Sequence, residues 1–332
     1  MQRRGWCFEL IVTLVLAATS NTTATAGDWP MWRYDAGGSA ASPHTLPDEL
    51  HLQWVRDFPR LEPAWENPLN RDLMQFDKAY EPVVLGETLF LGSSAADKLV
   101  ALDTETGRER WAFYVDGPVR LPPVASDGKV YFVSDDGYLY CVDAETGSLI
   151  WRFRGGPSDR KILGNSRLVS TWCARGGPVL KDGVIYFGAG IWPFMGVFIH
   201  ALDAETGKVI WTNDGSGSLY LMQPHNSPAY GGVAPQGAFV VSGDRLLVPC
   251  GRSVPACFDR HTGEFLYYRH ADHNKTGGAF VCAVGDRFIN YHRDQVTSLY
   301  DLTTGDALIR RFGNVPVMTE DVLYCLGERV QA

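Results

Sequence analysis

The stretch ALDAETGKVIW at residues 201–211 decides the fold, because it recurs along the chain. The other copies are ALDTETGRERW at 101–111, CVDAETGSLIW at 141–151, CFDRHTGEFLY at 257–267 and LYDLTTGDALI at 299–309. The copies are spaced by roughly 40 to 60 residues, a spacing typical of propeller and solenoid arrays. Each reads as a hairpin whose Asp accepts hydrogen bonds from turn amides and whose Gly takes positive φ. The residues expected to fill these roles in the three strongest copies are Asp103, Gly107, Trp111, Asp143, Gly147, Trp151, Asp203, Gly207 and Trp211.

A second hairpin precedes each copy, with a tight Gly/Asp turn between two apolar strands. Its versions include PPVASDGKVYFVS at 122–134 and GPVLKDGVIYFGA at 177–189. Two hairpins in each repeat predict a four-stranded antiparallel sheet, which is the blade of a β-propeller. We therefore expect an all-β protein with blades at about 80–115, 121–154, 177–213, 237–269 and 278–312.

The two ends of the repeat array predict an incomplete ring. Residues 315–332 begin a sixth blade without completing it, and residues 50–58 resemble a lone closing strand with Trp54 in the docking position. Propellers often close their ring with such a strand, since an open ring exposes strand edges. On this interpretation residues 27–332 form one propeller domain that is truncated or part of a longer product.

The pattern A-x-D-x-x-T-G-x-x-x-W resembles the tryptophan-docking repeat of the pyrroloquinoline-quinone (PQQ) propeller family over about residues 28–327. That family includes quinoprotein alcohol dehydrogenases and the non-catalytic BamB-type scaffolds. The resemblance implies that Trp111, Trp151 and Trp211 each pack against a neighbouring repeat, and we expect them to be nearly fully buried between adjacent blades. Tyr267 and Ile309 depart from the pattern, so we expect the last two junctions to be looser.

The order of the strands predicts on which of the two faces of the disc-shaped propeller each connection lies. The first and third turns of each blade lie on one face and are minimal. The second turns and the links between blades lie on the other face, with 25-residue links at 55–79, 152–176 and 212–236 and an enlarged turn, IWPFMGVF, at 191–198. Long loops on one end of a rigid scaffold are where binding commonly resides.

This long-loop face is rich in aromatic and Arg residues, which suit a protein or ligand interface. The candidate binding residues are Arg160, Trp172, Arg175, Trp192, Phe194, His225, Asn226 and Tyr230. The alternative is that the aromatic side chains form small cores inside the long loops and that the Arg residues are solvated or cap those loops.

The start of the chain predicts export. Residues 1–26 read as a targeting peptide, with Arg3 and Arg4, an apolar run, and an A-x-A cleavage site before Gly27. No later apolar stretch approaches the ~18 residues of a membrane span. The formal net charge is −8 and no basic tract is present, which argues against nucleic acid as a partner. We expect a soluble periplasmic or extracellular protein.

Cysteine, metal and catalytic signatures are weak. Six of the seven Cys residues follow the targeting peptide; they fit no metal spacing and are interpreted as small packing residues. A disulfide between Cys250 and Cys257 is the alternative, because both flank a predicted strand-loop-strand in a protein expected to be exported. His270, Asp272 and His273 offer a weak metal pattern, and no standard hydrolase or P-loop motif is present.

Two functions follow from the resemblance. The first is a non-catalytic binding or scaffold propeller for an envelope protein or extracellular ligand, with no cofactor. The second is a PQQ-dependent dehydrogenase or a fragment of one, in which PQQ with Ca²⁺ carries the redox chemistry. Enzymes of the family usually carry a vicinal disulfide against the cofactor, and this chain has no vicinal Cys pair. The first function is therefore favoured.

Overall fold

Five four-stranded antiparallel sheets follow one another along the chain, each with its strands in sequential order. The computed structural model describes residues 27–64, 77, 79–164, 166–223, 226–251, 253–270, 277–291 and 297–326. Apart from one short 3-10 turn at Pro193–Met195, the regular structure in these ranges is β-strand. The β-propeller prediction is confirmed. The expected targeting peptide at 1–26 lies outside the described residues.

The first three blades match the repeats read from the sequence. Blade 1 contains β1 (Val83–Leu85), β2 (Thr88–Ser93), β3 (Lys98–Asp103) and β4 (Glu109–Tyr114). Blade 2 contains β5 (Val124–Ser126), β6 (Lys129–Val133), β7 (Tyr138–Asp143) and β8 (Leu149–Arg154). Blade 3 contains β11 (Gly176–Lys181), β12 (Val184–Ala189), β13 (Phe198–Asp203) and β14 (Val209–Asn213).

The remaining strands complete two blades and add three hairpins. Blade 4 contains β17 (Val240–Ser242), β18 (Arg245–Val248), β19 (Ser253–Asp259) and β20 (Phe265–His270). Blade 5 contains β21 (Phe280–Val284), β22 (Arg287–Tyr291), β23 (Thr297–Asp301) and β24 (Ala307–Phe312). The hairpins are β9 (Lys161–Gly164) with β10 (Arg167–Ser170), β15 (Leu219–Met222) with β16 (Pro228–Gly231), and β25 (Asn314–Met318) with β26 (Leu323–Leu326).

The links between blades 2 and 3 and between blades 3 and 4 therefore differ from the loops expected there. Each contains a β-hairpin that pairs only with itself. Alternating exposure in β15, where Tyr220 and Met222 point outward between less exposed Leu219 and Leu221, is the period-2 pattern of a strand. In the third link, at 55–79, residues 65–76 and 78 lie outside the described residues.

The D-x-x-T-G turns have the predicted geometry. Gly107, Gly147 and Gly207 have φ of 67°, 71° and 67°. In each turn the Asp carboxylate accepts the amide of the Thr three residues later at 2.8 Å, as Asp203 does from Thr206. A side chain in this conformation would be strained, which explains the invariable Gly of the repeats.

Each docking aromatic is the third residue of an outer strand and packs on the turn Gly of the next blade. The indole N–H of Trp111, Trp151 and Trp211 donates to a carbonyl of that next blade at 3.1, 3.2 and 2.9 Å. Trp211 is 9% exposed, whereas Trp111 and Trp151 are only partly buried, contrary to the expectation of nearly full burial. They lie at the rim of the disc, where the ring is covered mainly by the neighbouring turn.

Two expectations about the ends of the array are corrected. The Tyr267 hydroxyl donates to Leu302 O at 2.9 Å and its ring packs against Gly305, so this junction is built like those with Trp. Residues 50–58 form no strand, because no backbone pairing holds them. Trp54 nevertheless docks, with its indole N–H 2.8 Å from Thr104 O and its ring against Gly107.

A segment near the start of the chain holds the inner strands together. Residues 29–39, the axial strap, hydrogen-bond through their carbonyls to the inner strand of blades 1, 2, 4 and 5 and to β25. The buried apolar clusters lie between neighbouring blades, as where Phe90 and Phe132 join blades 1 and 2. The strap adds a connection between blades distant in sequence.

One interblade contact depends on an uncharged imidazole. His200 is buried between blades 2 and 3, with Nε2 2.9 Å from Gly155 O and Nδ1 2.9 Å from Thr212 Oγ1. Burial lowers the pKa of His200 from 6.5 to about 4. The unfolded chain therefore binds the proton more tightly than the folded protein does.

Acidification is expected to destabilise the protein through His200. The free energy of unfolding should be unaffected by this group above about pH 6.5 and should fall by roughly 2 kcal/mol as the pH drops to about 5. His200→Gln should remove this part of the pH dependence in urea titrations. The control is His261→Gln, at a site where the imidazole side chain is 55% exposed. Equal pH slopes in the wild type and His200→Gln would contradict the assignment.

Candidate functional site

The long-loop face has a buried ionic layer beneath an exposed aromatic layer. The carboxylate of Asp135, in the second turn of blade 2, accepts hydrogen bonds from Nε and Nη2 of Arg175, both at 2.9 Å. It also accepts one from Nε of Arg120 at 2.7 Å. Arg120 also pairs with Asp77 at 2.8 Å. All four side chains are at most 5% exposed. The cluster joins the second turn of blade 2 to three separate links.

The charges of this cluster are fixed by their neighbours. Burial by itself would raise the pKa of Asp135, but the guanidinium groups of Arg175 and Arg120 outweigh it and hold the pKa below its usual value. The same carboxylate raises the pKa of Arg175, although burial opposes this. Asp135 therefore stays an anion and Arg175 stays a cation at neutral pH.

Other Arg and Trp contacts tie the links to the blades. Arg167 of β10 donates to Ser94 O at 2.7 Å and to Glu62 at 2.9 Å, and it also pairs with Asp97. The Trp172 indole donates to Met195 O at 2.8 Å, which joins the link before blade 3 to the 3-10 turn. These contacts place the links and the second turns on one face, as strand order predicts.

The exposed layer consists of apolar side chains on the 3-10 turn and on one hairpin. Trp192 and Phe194 are 40% and 74% exposed, with ring centroids 6.2 Å apart. Pro193 begins the 3-10 turn and Gly196, with φ of 94°, follows its last residue. Trp192 directly precedes the turn and Phe194 lies within it, so this short turn positions both aromatic side chains.

The hairpin β15–β16 continues this layer, because β16 lies beside the 3-10 turn. Tyr220 and Tyr230 face each other across the hairpin, 63% and 72% exposed, with ring centroids 5.1 Å apart. Met222 on the same side is 62% exposed. We call Trp192, Phe194, Tyr220, Met222 and Tyr230 the aromatic patch.

The structure separates the eight candidate binding residues into three groups. Five are exposed on the long-loop face: Arg160, Trp192, Phe194, Asn226 and Tyr230. Trp172 and Arg175 are buried at 8% and 5%, so they are not surface anchors; they support the loops from within. His225 lies outside the described residues.

Sequence reasoning missed Arg120, Asp135 and Met222. Arg120 and Asp135 follow no motif, since their pairing depends on how blades 1, 2 and 3 meet. Met222 was hidden because the link was interpreted as a loop; the alternation in SLYLM would have placed it on the exposed side of a strand.

Thiol and metal chemistry find little support in the described residues. Six cysteines, including Cys250 and Cys257, are free and buried. No group of three His, Cys, Asp or Glu side chains in the described part of the chain lies close enough to hold a metal ion. Asp272 and His273 of the weak metal pattern fall outside it. No helix in the described ranges is long and apolar enough to cross a membrane.

Parts of the chain are similar to one family model and to curated proteins with different activities. Residues 53–180 match the family model described as outer membrane protein assembly factor BamB. Over 205 residues the chain is 27% identical to the dehydrogenase subunit of a quinone alcohol dehydrogenase from Gluconobacter oxydans (strain 621H), covering 58% of this chain and 25% of that protein. Over 210 residues it is 28% identical to tetrathionate hydrolase of Acidithiobacillus ferrooxidans, covering 60% of this chain and 37% of that protein.

A solved structure supports the fold. Quinohemoprotein alcohol dehydrogenase from Comamonas testosteroni superposes with a TM-score of 0.56 at 18% identity, over 87% of this chain and 49% of that chain. The chain thus spans about a quarter to a half of the length of these relatives.

The buried Arg and Trp side chains of the long-loop face are engaged by the protein itself and would not hold a bound PQQ. A tricarboxylate quinone needs available cationic groups and an aromatic face, and its Ca²⁺ needs several oxygen ligands. Here Arg120 and Arg175 are buried against Asp135 and Asp77, and the Trp172 ring packs on Gly156 inside its own link. These groups stabilise the loops.

Proposed function

Because the chain carries the tryptophan-docking repeats of the PQQ-like β-propeller family, we propose that it acts as a non-catalytic binding module for a protein of the cell envelope. The aromatic patch carries this proposal. Aromatic and Met side chains are enriched where proteins bind one another, and a few such anchors supply most of the binding energy. Export to the envelope belongs to the same proposal and rests on the targeting peptide expected at 1–26.

The buried ionic layer and the exposed aromatic patch of the long-loop face together favour binding of a partner protein. The ionic layer is buried and internally paired, so it positions the loops and offers little to a ligand. The aromatic patch is held on a 3-10 turn and a hairpin, which reduces the entropy lost when a partner binds. A rigid exposed apolar surface is suited to a protein partner.

Removing two exposed anchors is expected to abolish binding without unfolding the protein. Phe194→Ala with Tyr230→Ala should reduce the amount of partner retained from an envelope extract at least about tenfold, since anchors of this kind contribute 2 kcal/mol or more each. The control is Tyr114→Ala on β4, because Tyr114 is 68% exposed but lies outside the patch. Equal retention by both variants would contradict the proposal. Arg175→Ala is unsuitable as a probe, because its loss would disturb the fold.

A cofactor titration separates this function from that of a quinoprotein dehydrogenase. We expect purified protein mixed with PQQ and Ca²⁺ to show neither a bound-quinone absorbance nor a rise in melting temperature. A saturable absorbance change with a thermal shift of several degrees would favour the dehydrogenase instead.

A further inference from the structure

The axial strap forms hydrogen bonds with the inner strands of blades 1, 2, 4 and 5, but none with the inner strand of blade 3 in the described residues. Strap carbonyls accept inner-strand amides at 2.7 to 3.0 Å in blades 1, 2, 4 and 5 and in β25. The donors occupy one equivalent position in each inner strand: Val84, Ala125, Val241, Ala283 and Met318. Leu180 holds that position in blade 3. It pairs with Ile185 next to the turn pair Lys181–Val184, so its amide points away from β12, and within the described part of the chain no strap carbonyl accepts it.

The strap leaves blade 3 because it bends away from it. Between Pro30 and Ala36 the backbone turns at Arg33 and Tyr34, which have φ of 53° and 88° although neither is Gly. The Tyr34 amide donates to Met31 O at 3.0 Å, which closes the bend. Below the bend lies a cavity of about 620 Å³, a volume in the range of ligand-binding pockets.

The cavity has an apolar wall and a charged rim. Met31, Tyr34 and Leu180 contribute the wall. On the rim, carboxylates outnumber ammonium groups five to two: Asp35, Asp127, Asp182, Asp203 and Glu205 against Lys129 and Lys181.

Two of the five carboxylates are neutralised by the protein itself. Glu205 pairs with Lys129 at 2.8 Å and Asp182 pairs with Arg260 at 2.6 Å. In the described residues the other three have no cation within 4.0 Å and accept from hydroxyl groups: Asp35 from Ser39, Asp127 from Ser126 and Asp203 from Thr206. The rim therefore keeps a negative charge beside an open backbone donor.

We propose that this cavity binds a peptide segment carrying a basic side chain. The peptide carbonyl accepts the Leu180 amide, as strap carbonyls do in the other blades. The side chain lies along Met31 and Tyr34, and its cationic end approaches Asp127 and Asp203. The cavity is lined by first and third turns, so this site lies on the face opposite the aromatic patch and is independent of the proposed function.

A pair of isosteric probes tests the charge requirement. N-acetyl-arginine amide and N-acetyl-citrulline amide have the same carbonyls and nearly the same shape, but only the first is a cation. By titration calorimetry at low salt we expect millimolar binding of the arginine probe and at least about tenfold weaker binding of the citrulline probe, a difference of 1.4 kcal/mol or more. Added salt should weaken the arginine probe selectively.

Variants and an amide signal locate the site. Asp127→Asn should weaken the arginine probe several-fold, and Asn tolerates the φ of 50° at this position. The control is Asp286→Asn in the first turn of blade 5, where the carboxylate is 83% exposed and outside the cavity. In protein labelled with [¹⁵N]leucine, the Leu180 signal, assigned with Leu180→Ile, should shift on titration.

Any of several outcomes would overturn the proposal. These are the absence of saturable binding of the arginine probe at about 20 mM, equal affinity of the two probes, an equal loss in Asp286→Asn, or a Leu180 signal that stays in place while the probe binds elsewhere.

Discussion

Replacing Asp135 with Asn is expected to lower the free energy of unfolding by about 3 to 5 kcal/mol, the usual cost of removing one partner from a buried ion pair. Asn has the same size but no charge, so the guanidinium groups of Arg175 and Arg120 would lose the carboxylate that compensates them. Urea unfolding at pH 7 measures the change. The effect should be among the largest of any single substitution, because one carboxylate serves two buried cations.

The matched control is Asp116→Asn. Asp116 also forms an ion pair, with Lys161 at 3.3 Å, but its side chain is 81% exposed. Exposed pairs contribute little, so a change within about 0.5 kcal/mol is expected. If Asp135→Asn cost less than about 1 kcal/mol, the two Arg residues would have found water or other carboxylates, and the cluster would not hold the links.

Replacing Gly207 with Ala is expected to cost about 3 to 4 kcal/mol through two separate effects. Its φ of 67° disfavours any side chain by about 1 to 2 kcal/mol. A Cβ there would also lie 2.8 Å from Trp151 Cδ2, which would force the docked indole to move. Gly128→Ala isolates the first effect, because Gly128 has φ of 73° and nothing within 4 Å of its Cβ position.

A double-mutant cycle with Trp151→Ala tests the docking itself. Trp151→Ala alone should cost about 3 to 5 kcal/mol. In that background Gly207→Ala should cost only the 1 to 2 kcal/mol of backbone strain, which leaves a coupling energy of at least about 1 kcal/mol. Additive effects, or equal costs for Gly207→Ala and Gly128→Ala, would mean that the indole does not depend on this glycine.

The repeats could be predicted from sequence because each is a local structure. The Asp and Gly of a D-x-x-T-G turn lie four residues apart, so their spacing alone determines the hydrogen bond and the positive φ of Gly207. The contact of each docking aromatic with the next blade could be predicted as well, since each blade meets the next in the same way. The prediction failed at Tyr267, because a hydroxyl replaced the indole N–H at the same carbonyl position.

The candidate site was only partly predictable, since residue type does not reveal burial within a link. Trp172 and Trp192 lie in adjacent parts of one face and have the same chemistry, yet one supports the loops from inside and the other is exposed. The difference arises because Trp172 meets Met195 and Gly156, which belong to separate loops. Arg175 was likewise taken for a surface anchor because its partner, Asp135, lies 40 residues away in another blade.

By itself the sequence determined the repeat, its turns and the order of the blades, because those features depend on contacts within one hairpin or between successive hairpins. Only the tertiary structure decided the ionic cluster, the aromatic patch and the cavity under the strap. Each of these forms where segments distant in the chain converge, as when Pro30 and Ala36 meet blades 2 and 4 and leave Leu180 of blade 3 open. Such convergence depends on how the blades pack around the strap, which no local pattern of residues encodes.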